Sequence, residues 1–390
     1  MAYYRQPAFY RSFKCMGGKC PNSCCAIWTI EWTKKEVERL KAADCSPELR
    51  KLVDESFAPN DKNDNGLIIK LDAKKNFDCP FLTEDRMCRI QRELGAEYLS
   101  FTCTFFPRKI FASQDIFTRT CSASCYQVME TLYKDPCAMN LVNTPIDKES
   151  IGLNVQTYSA EDLKKHPELN YRNDLFEFFY EIISSKKRTI ETSVVLGALA
   201  AQKLTEYIRR GEHDRIPEII KALRPQLNMQ TVPSFENAKE NYNYSLSLTG
   251  KIVDALADSN VLDSLKENGQ LSVDKYKNGC AIFSRYTDKT PHFLRNLALN
   301  YIFEGNIPFM DISKSLFENY CYFASTIAAT KLIGCAVSAQ NKSVENGLLI
   351  SISYFVRVMY HSPLVITPRI FNLVQEYNIT TPAKIALMLK

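Results

Sequence analysis

The feature that most constrains how this chain can fold is the distribution of its cysteines. The sequence has 390 residues and 14 cysteines, of which all but Cys280, Cys321 and Cys335 precede residue 138. Thiolates that converge from short loops can organise a small domain around a metal ion. The sequence therefore predicts a cysteine-rich N-terminal domain that is followed by a domain of a different kind.

Two kinds of structure can use so many cysteines. A disulfide framework requires an oxidising compartment, but the N-terminal segment Met1–Lys14 has basic side chains and no apolar stretch typical of a secretory signal. We therefore favour thiolate metal ligation over disulfides and expect a cytoplasmic protein.

The overall charge and hydropathy argue against two classes of partner. The net charge is +5, from 49 basic and 44 acidic side chains, which is too small to favour nucleic acid. No stretch reaches 18 uncharged apolar residues, and the most apolar segment, Cys321–Val337, is interrupted by Lys331. We interpret that segment as a buried helix and expect no membrane association.

The candidate metal ligands fall into two blocks. The first is Cys15-x4-Cys20-x3-Cys24-Cys25, in which Gly17 and Gly18 give the backbone freedom to wrap an ion. The second begins with Cys79-Pro80-x7-Cys88, where a turn at Thr83-Glu84-Asp85 would return one cysteine towards another. The predicted ligands are Cys15, Cys20, Cys24, Cys25, Cys79, Cys88, Cys103 and Cys121.

The three other N-terminal cysteines, Cys45, Cys125 and Cys137, lie in stretches with helical character, and we interpret them as small core residues. All-sulfur sites suit zinc or an iron–sulfur cluster, and spacing does not separate the two. The cysteine-rich part contains no histidine, which disfavours mixed Cys/His zinc fingers. Eight thiolates would serve one four-sulfur site with spare thiols, or two sites.

Local patterns predict a mainly α fold, with a small mixed α/β cysteine-rich domain before an all-helical domain. Helix starts are indicated by the capping box Thr33-x-x-Glu36 and by Ser46-Pro47. A β-hairpin is predicted from Lys109 to Thr120, and Ser122 is predicted to cap a helix that runs to Tyr133. We place a metal-cluster domain at 1–140, a polar, proline-containing linker at 141–170 and a helical domain at 171–390.

Several common catalytic motifs are missing from the sequence. The 13 glycines never form Gly-x-Gly-x-x-Gly, and there is no phosphate-binding loop, His-Glu-x-x-His or Gly-x-Ser-x-Gly. Residue chemistry alone therefore indicates a metalloprotein without naming its activity.

The order and spacing of the cysteines, together with their neighbours, resemble the bacterial flagellin lysine N-methylase family. The similar segments over residues 7–125 are the first cysteine block with Trp28, Cys79-Pro80-Phe81-Leu82, Cys88-Arg89-Ile90-Gln91, Leu94-Gly95, Cys103-x2-Phe106-Pro107-Arg108 and Cys121. The N-terminal part is also similar to small proteins with clustered Cys-Cys motifs that chelate zinc or iron. In the helical part, the segment His292-Phe293-Leu294-x2-Leu297-x2-Asn300-Tyr301-Ile302-Phe303 is similar to the family as well.

The resemblance implies an enzyme that methylates lysine side chains of flagellin with S-adenosylmethionine as the donor. It also implies a 4Fe-4S cluster held by the N-terminal cysteines. A lysine amine has an ordinary pKa of about 10.4, so the site needs a group that takes its proton. Arg108 is a candidate for binding the carboxylate of the donor, with a structural salt bridge as the alternative. His292 is interpreted as a capping or core histidine.

Two other functions remain open at this stage. The chain could be a non-catalytic protein-binding module shaped by a structural zinc site, or a metal-delivery protein with a labile site. For the enzyme, we expect the active site near the metal cluster, at the junction with the helical domain, because pockets favour domain interfaces.

Overall fold

The computed structural model describes residues 2–26, 30–60, 63–71, 77–114, 116–146, 155–229, 242–254, 260–340, 344–361 and 363–390. Trp28, which belongs to the segments similar to the methylase family, lies outside the described residues. The strands are β1 (Tyr3–Pro7), β2 (Glu31–Thr33), β3 (Phe57–Asn60), β4 (Asn63–Ile69), β5 (Arg108–Ser113), β6 (Ile116–Cys121), β7 (Leu141–Pro145), β8 (Lys266–Glu267) and β9 (Gln270–Leu271).

The helices confirm the predicted mainly α fold with mixed sheets in the N-terminal part. They are α1 (Lys34–Ala42), α2 (Pro47–Glu55), α3 (Arg89–Leu94), α4 (Phe101–Phe105), α5 (Tyr126–Lys134), α6 (Ala160–Lys165), α7 (Arg172–Ser184), α8 (Ile190–Arg209), α9 (Ile216–Met229), α10 (Tyr242–Asp254), α11 (Val273–Thr287), α12 (Phe293–Glu304), α13 (Leu316–Ala339), α14 (Val344–His361), α15 (Pro363–Glu376) and α16 (Pro382–Met388).

The chain forms two compact units. The cysteine unit comprises Phe13–Arg108 with Cys125–Gln127, and the helical unit comprises Met1–Ser12, Lys109–Ser124 and Val128–Lys390. The segment 141–170, predicted as a linker, contains β7 and α6. The predicted domain limits stay a prediction, because compactness does not test which segments fold independently.

Helix starts in the cysteine unit follow from local hydrogen bonds. The hydroxyl of Thr33 accepts from the backbone amide of Glu36, whose carboxylate accepts from the amide of Thr33, so the predicted capping box is confirmed. The hydroxyl of Ser46 accepts from the amide of Leu49 at the start of α2. These side chains stabilise the first turns because they satisfy amides that have no partner within the helix.

The core of the cysteine unit lies between α1, α2 and the antiparallel sheet β2-β4-β3. Trp32 of β2 is buried and packs edge-to-face on Phe57 with ring centroids 5.3 Å apart. Cys79 belongs to this core, and the partly buried Cys25, Cys88 and Cys103 pack against it. The packing of the apolar core by itself therefore brings cysteines from distant segments together.

The helical unit begins with a four-stranded sheet in the order β5-β6-β1-β7. The predicted hairpin is confirmed by β5 and β6, and β1 runs parallel to β6 and antiparallel to β7. The predicted cap at Ser122 is wrong, because α5 starts only at Tyr126. The Ser122 hydroxyl instead donates to the buried carboxylate of Glu304, a partner that no local pattern reveals.

Helix α13 forms the centre of the helical unit and packs against α8, α10, α11 and α14. Its length and composition would suffice to cross a membrane, but 94% of its apolar window is buried inside the protein. The sequence interpretation of Cys321–Val337 as a buried helix is confirmed. A capping box between Ser315 and Glu318 sets its first turn.

Candidate functional site: a thiol cluster and a charged cleft

Two loops carry most of the cysteines in the cysteine unit. The backbone amide of Cys79 donates to the carbonyl of Cys25 at 2.8 Å, which joins the first cysteine block to the second. A bridge between Leu82 and Cys88 closes the second loop across the predicted turn. The first loop turns at Gly17, whose φ of +58° suits glycine.

The sulfur atoms influence one another's ionisation, and Cys25 is the neighbour that they share. The pKa of Cys24 is raised well above its ordinary value, first by its hydrogen bond with Cys25 and then by burial and by the charges of Cys25, Cys125 and Cys15. Burial raises the pKa of Cys79, of Cys88 and, to about 12, of Cys103, with the charge of Cys25 adding to each rise. These thiols are therefore protonated at neutral pH, and a metal ion would have to displace their protons.

Polar groups oppose these pKa rises at three of the sulfurs. The backbone amide of Phe81 lowers the pKa of Cys79, and those of Ile90 and Gln91 lower the pKa of Cys88. The Ser100 hydroxyl does the same for Cys103. Donors directed at sulfur stabilise a thiolate, so they suit side chains that bind a metal ion.

Across the described residues, no group of three or more histidine, cysteine, aspartate or glutamate side chains is arranged to hold a metal ion. The donor chemistry nevertheless fits a thiophilic metal, because Cys25, Cys79, Cys88 and Cys103 are mutual neighbours in one core. Cys15, Cys24 and Cys125 form a second group of neighbours. Which cysteines bind metal stays a prediction.

The remaining cysteines divide between the units. The hydrogen bond with Asp78 is the main cause that raises the pKa of Arg86, and the charge of the nearby Cys20 adds to this rise. Cys45 packs against the core as predicted. Cys121, the eighth predicted ligand, is buried in the helical unit at the end of β6. Cys137 is exposed, so its interpretation as a core residue is wrong. Cys125, also interpreted as a core residue, is a neighbour of Cys24. The spacing Cys121-x3-Cys125 is the sequence feature that could have indicated its place in the thiol cluster.

Arg108, the predicted donor-binding residue, follows a cis peptide bond between Phe106 and Pro107 at the start of β5. Its guanidinium lies over the ring of Phe13, 5.5 Å from the centroid. In the part of the chain that the structure describes, no carboxylate lies within 4.0 Å of it. The carboxylate-binding role stays a prediction.

The helical unit contains a large open cleft that sequence reasoning missed. Its volume is about 1510 Å³, above the range of roughly 300–1,000 Å³ common for small-molecule sites. Its lining residues come from α7, α8 and the loop between them, and from the end of α11 and the start of α12. The cleft can therefore accommodate a small molecule together with part of a second one.

Charged side chains of both signs line the cleft. The carboxylate of Glu181 pairs with Arg224 at 2.9 Å, and Arg295 donates to the carbonyls of Ile183 and Arg188. Burial lowers the pKa of Arg295, and the nearby Arg188 adds to this. Asp288 is exposed at the rim.

His292 lies on the cleft wall with a defined ring orientation. Its Nε2 is 2.8 Å from the carbonyl oxygen of Tyr133. A carbonyl can only accept, so Nε2 carries the proton, and in the neutral ring Nδ1 can accept one. The residue is the N-cap of α12, in agreement with its interpretation as a capping residue, but its side chain makes no capping hydrogen bond.

These observations define a mainly α protein with a thiol-rich unit and a charged cleft in its helical unit. Residues 176–388, more than half of the chain, match the family described as the FliB lysine N-methylase C-terminal domain. The chain belongs to this family, as its sequence resemblance predicted.

Individual relatives are flagellar proteins and lysine methylases. The chain is 35% identical over 138 residues to the flagellar biosynthetic protein FliU of Salmonella muenchen, which covers 35% of this chain and 80% of the relative. It is 32% identical over 147 residues to the lysine-N-methylases of Salmonella typhimurium and Salmonella choleraesuis. These matches cover 38% of this chain and 36% of each relative. No solved structure matches the chain.

Proposed function

We propose that this chain is a protein-lysine N-methyltransferase that uses S-adenosylmethionine and acts on flagellin in the cytoplasm. The observation that carries the proposal is the family match over residues 176–388. All residues that line the cleft fall within the matched part, except those on segment 136–141. The name of FliU supports a flagellar substrate, because it describes a flagellar biosynthetic protein.

The size and charge of the cleft suit two substrates bound together. Methyl transfer needs the donor and a lysine side chain within the same water-restricted space, so that the reacting atoms meet in line. Carboxylates such as Glu181 and Asp288 favour an incoming ammonium group, while Arg188 and Arg295 favour the carboxylate of the donor.

His292 is the group whose orientation suits proton transfer. A lysine ammonium must lose one proton before its nitrogen can attack, and Nδ1 of His292 is the acceptor that the bond to Tyr133 leaves available. The neutral amine then forms a bond to the methyl carbon and displaces the donor sulfur as an uncharged thioether. The proton leaves His292 for solvent before the next turnover.

We also propose that the cysteine unit holds a 4Fe-4S cluster, with Cys25, Cys79, Cys88 and Cys103 as its ligands. When bound, such a cluster supplies a redox-active, thiolate-ligated iron centre. The residues of this unit keep the sulfurs together in an apolar core and direct amides towards Cys79 and Cys88. Arg108, which the resemblance suggested as a ligand of the donor carboxylate, is the alternative to Arg188 and Arg295 for that role.

The test of the methylase compares His292→Gln with His213→Gln on purified flagellin and S-adenosylmethionine. His213 is a suitable control because its ring pairs with Glu168 and does not line the cleft. Methylated lysines are counted by mass spectrometry. Loss of a general base should slow the reaction by at least about a hundredfold, and the deficit should shrink as pH approaches about 10.4, where lysine loses its own proton.

Two results would contradict separate parts of the proposal. A wild-type protein that binds its metal but methylates no lysine would refute the methylase function. Equal rates for the wild type and His292→Gln would leave the methylase standing and remove His292 as the base.

A second candidate function is a non-catalytic protein-binding module with a structural zinc site. It is favoured by one observation, namely that Cys79 belongs to the apolar core of the cysteine unit and Cys25, Cys88 and Cys103 pack against it. Anaerobic purification with iron, zinc and acid-labile sulfide analysis distinguishes the two. Iron and sulfide in about equal amounts, with broad visible absorption, support the cluster, whereas zinc in a colourless protein supports the binding module.

A further inference from the structure

Two cysteines of the helical unit lie side by side although they are 55 positions apart in the sequence. The sulfur of Cys280 on α11 is 3.2 Å from the sulfur of Cys335 on α13. A glycine allows this approach: a Cβ atom on Gly279 would lie 2.7 Å from the carbonyl oxygen of Cys335. The close packing of α11 on α13 therefore places the two thiols in contact.

The pair borders a cavity that adjoins the large cleft. The cavity has a volume of about 250 Å³, and both cysteines line it. Its wall shares Glu191, Ser284 and Leu294 with the cleft. The two spaces therefore lie next to each other, and the half-buried Cys280 is the more exposed member of the pair.

The surroundings of the pair combine charged and hydroxyl groups. Lys331 pairs with Glu191 at 3.0 Å, and both line the cavity. The hydrogen bond from Cys280, followed by burial, raises the pKa of Cys335, while the positive charge of Lys331 opposes that rise. The Tyr276 hydroxyl also interacts with Cys280. The ammonium group of Lys331 would stabilise a thiolate on either sulfur.

We propose that Cys280 and Cys335 are a modification site, at which they form a reversible disulfide that joins α11 to α13 beside the cleft. The oxidant is a small disulfide such as oxidised glutathione. One cysteine thiolate attacks it, forms a mixed disulfide and releases one glutathione thiolate. The second cysteine then attacks that bond, so the protein disulfide forms and a second glutathione leaves. The two cysteines lose two electrons, and both protons depart with the two glutathione thiols.

The bond would act on the cleft through α11. This helix contributes Ser284 and Thr287 to the cleft wall, a few residues after Cys280, and Asp288 follows directly after the helix. A covalent link to the buried α13 would restrict local opening of this wall, because it removes the motions that separate the two helices. The proposal does not depend on the methylase function.

The sequence offers a matched control. Cys321 lies on the same helix α13 and is fully buried, and its nearest hydrogen-bond contact is the carbonyl of Ile379 at 3.7 Å. Trypsin places the three cysteines on separate peptides, Asn278–Arg285, Leu332–Lys342 and Ser315–Lys331, each with one cysteine. A linked peptide therefore identifies the pair without ambiguity, whatever the N-terminal cysteines do.

The test treats the anaerobically prepared full chain with oxidised glutathione and digests it without reductant. Mass spectrometry should find the peptides of Cys280 and Cys335 joined in the wild type and in Cys321→Ser, and never in Cys280→Ser or Cys335→Ser. Hydrogen exchange along α11 should slow on oxidation in the first two proteins only. Unlinked peptides in a folded, oxidised wild type, or glutathione adducts in place of the link, would overturn the proposal.

Discussion

A single methyl group at Gly279 tests the close approach of α11 and α13. The change Gly279→Ala places a Cβ atom 2.7 Å from the carbonyl oxygen of Cys335 and 3.2 Å from its carbonyl carbon. Both atoms belong to the backbone of a buried helix, so they cannot rotate away as a side chain would. The two helices must move apart, which loosens the contacts around them.

The expected magnitude is the balance of two effects. Alanine is a better helix former than glycine by about 1 kcal/mol, which stabilises α11. Overpacking in a dense core costs about 1–3 kcal/mol. Since the clash is with backbone on a fully buried surface, we expect the second effect to exceed the first. The free energy of unfolding of the helical unit should fall by up to about 2 kcal/mol.

The same substitution elsewhere supplies the control. Among the described residues, a Cβ atom on Gly347 of α14 would meet a methyl of Val337 at the ordinary distance of 3.5 Å and no other atom within 4 Å. Gly347→Ala should therefore raise the free energy of unfolding by up to about 1 kcal/mol. Urea unfolding of both variants, followed by tryptic sensitivity of the helical unit, measures the difference. Stabilisation by Gly279→Ala equal to that by Gly347→Ala would refute the packing argument.

Three further changes test other parts of the structure. Cys25→Ser should abolish most metal binding in elemental analysis, because the sulfur of Cys25 adjoins the other thiols. Cys137 is exposed, so Cys137→Ser should retain the metal. Equal loss of metal in both variants would contradict the assignment of Cys25 as a ligand. Burial raises the pKa of Glu304, so the folded state holds its proton longer than the unfolded state. The free energy of unfolding should therefore fall as pH rises above about 4.3. Glu304→Gln should remove that part of the pH dependence, which urea titrations at several pH values measure. Identical pH profiles for the wild type and Glu304→Gln would refute this. Gly18→Ala should destabilise the cysteine unit by about 1–3 kcal/mol in the same assay, because the added Cβ would clash with the carbonyl of Asp85. Unchanged stability would contradict this and show that the loop moves to relieve the clash.

Local features of the fold were predictable because their partners lie a few residues away. The Thr33 capping box and the Ser46 cap each rest on backbone geometry within one helical turn. Ser122 shows the limit of this reasoning. It looked like a cap, but its hydroxyl is engaged by Glu304, which is 182 positions away.

By itself, the sequence determined the helical class, the concentration of thiols in the N-terminal part and the family, since composition, periodicity and motif spacing are properties of the chain alone. Only the tertiary structure decided that Cys125 neighbours Cys24, that Cys280 touches Cys335, and that α7, α8, α11 and α12 line one cleft. The physical reason is that these proximities arise from the packing of buried side chains far apart in sequence. Such packing depends on shape, which one-dimensional spacing does not encode.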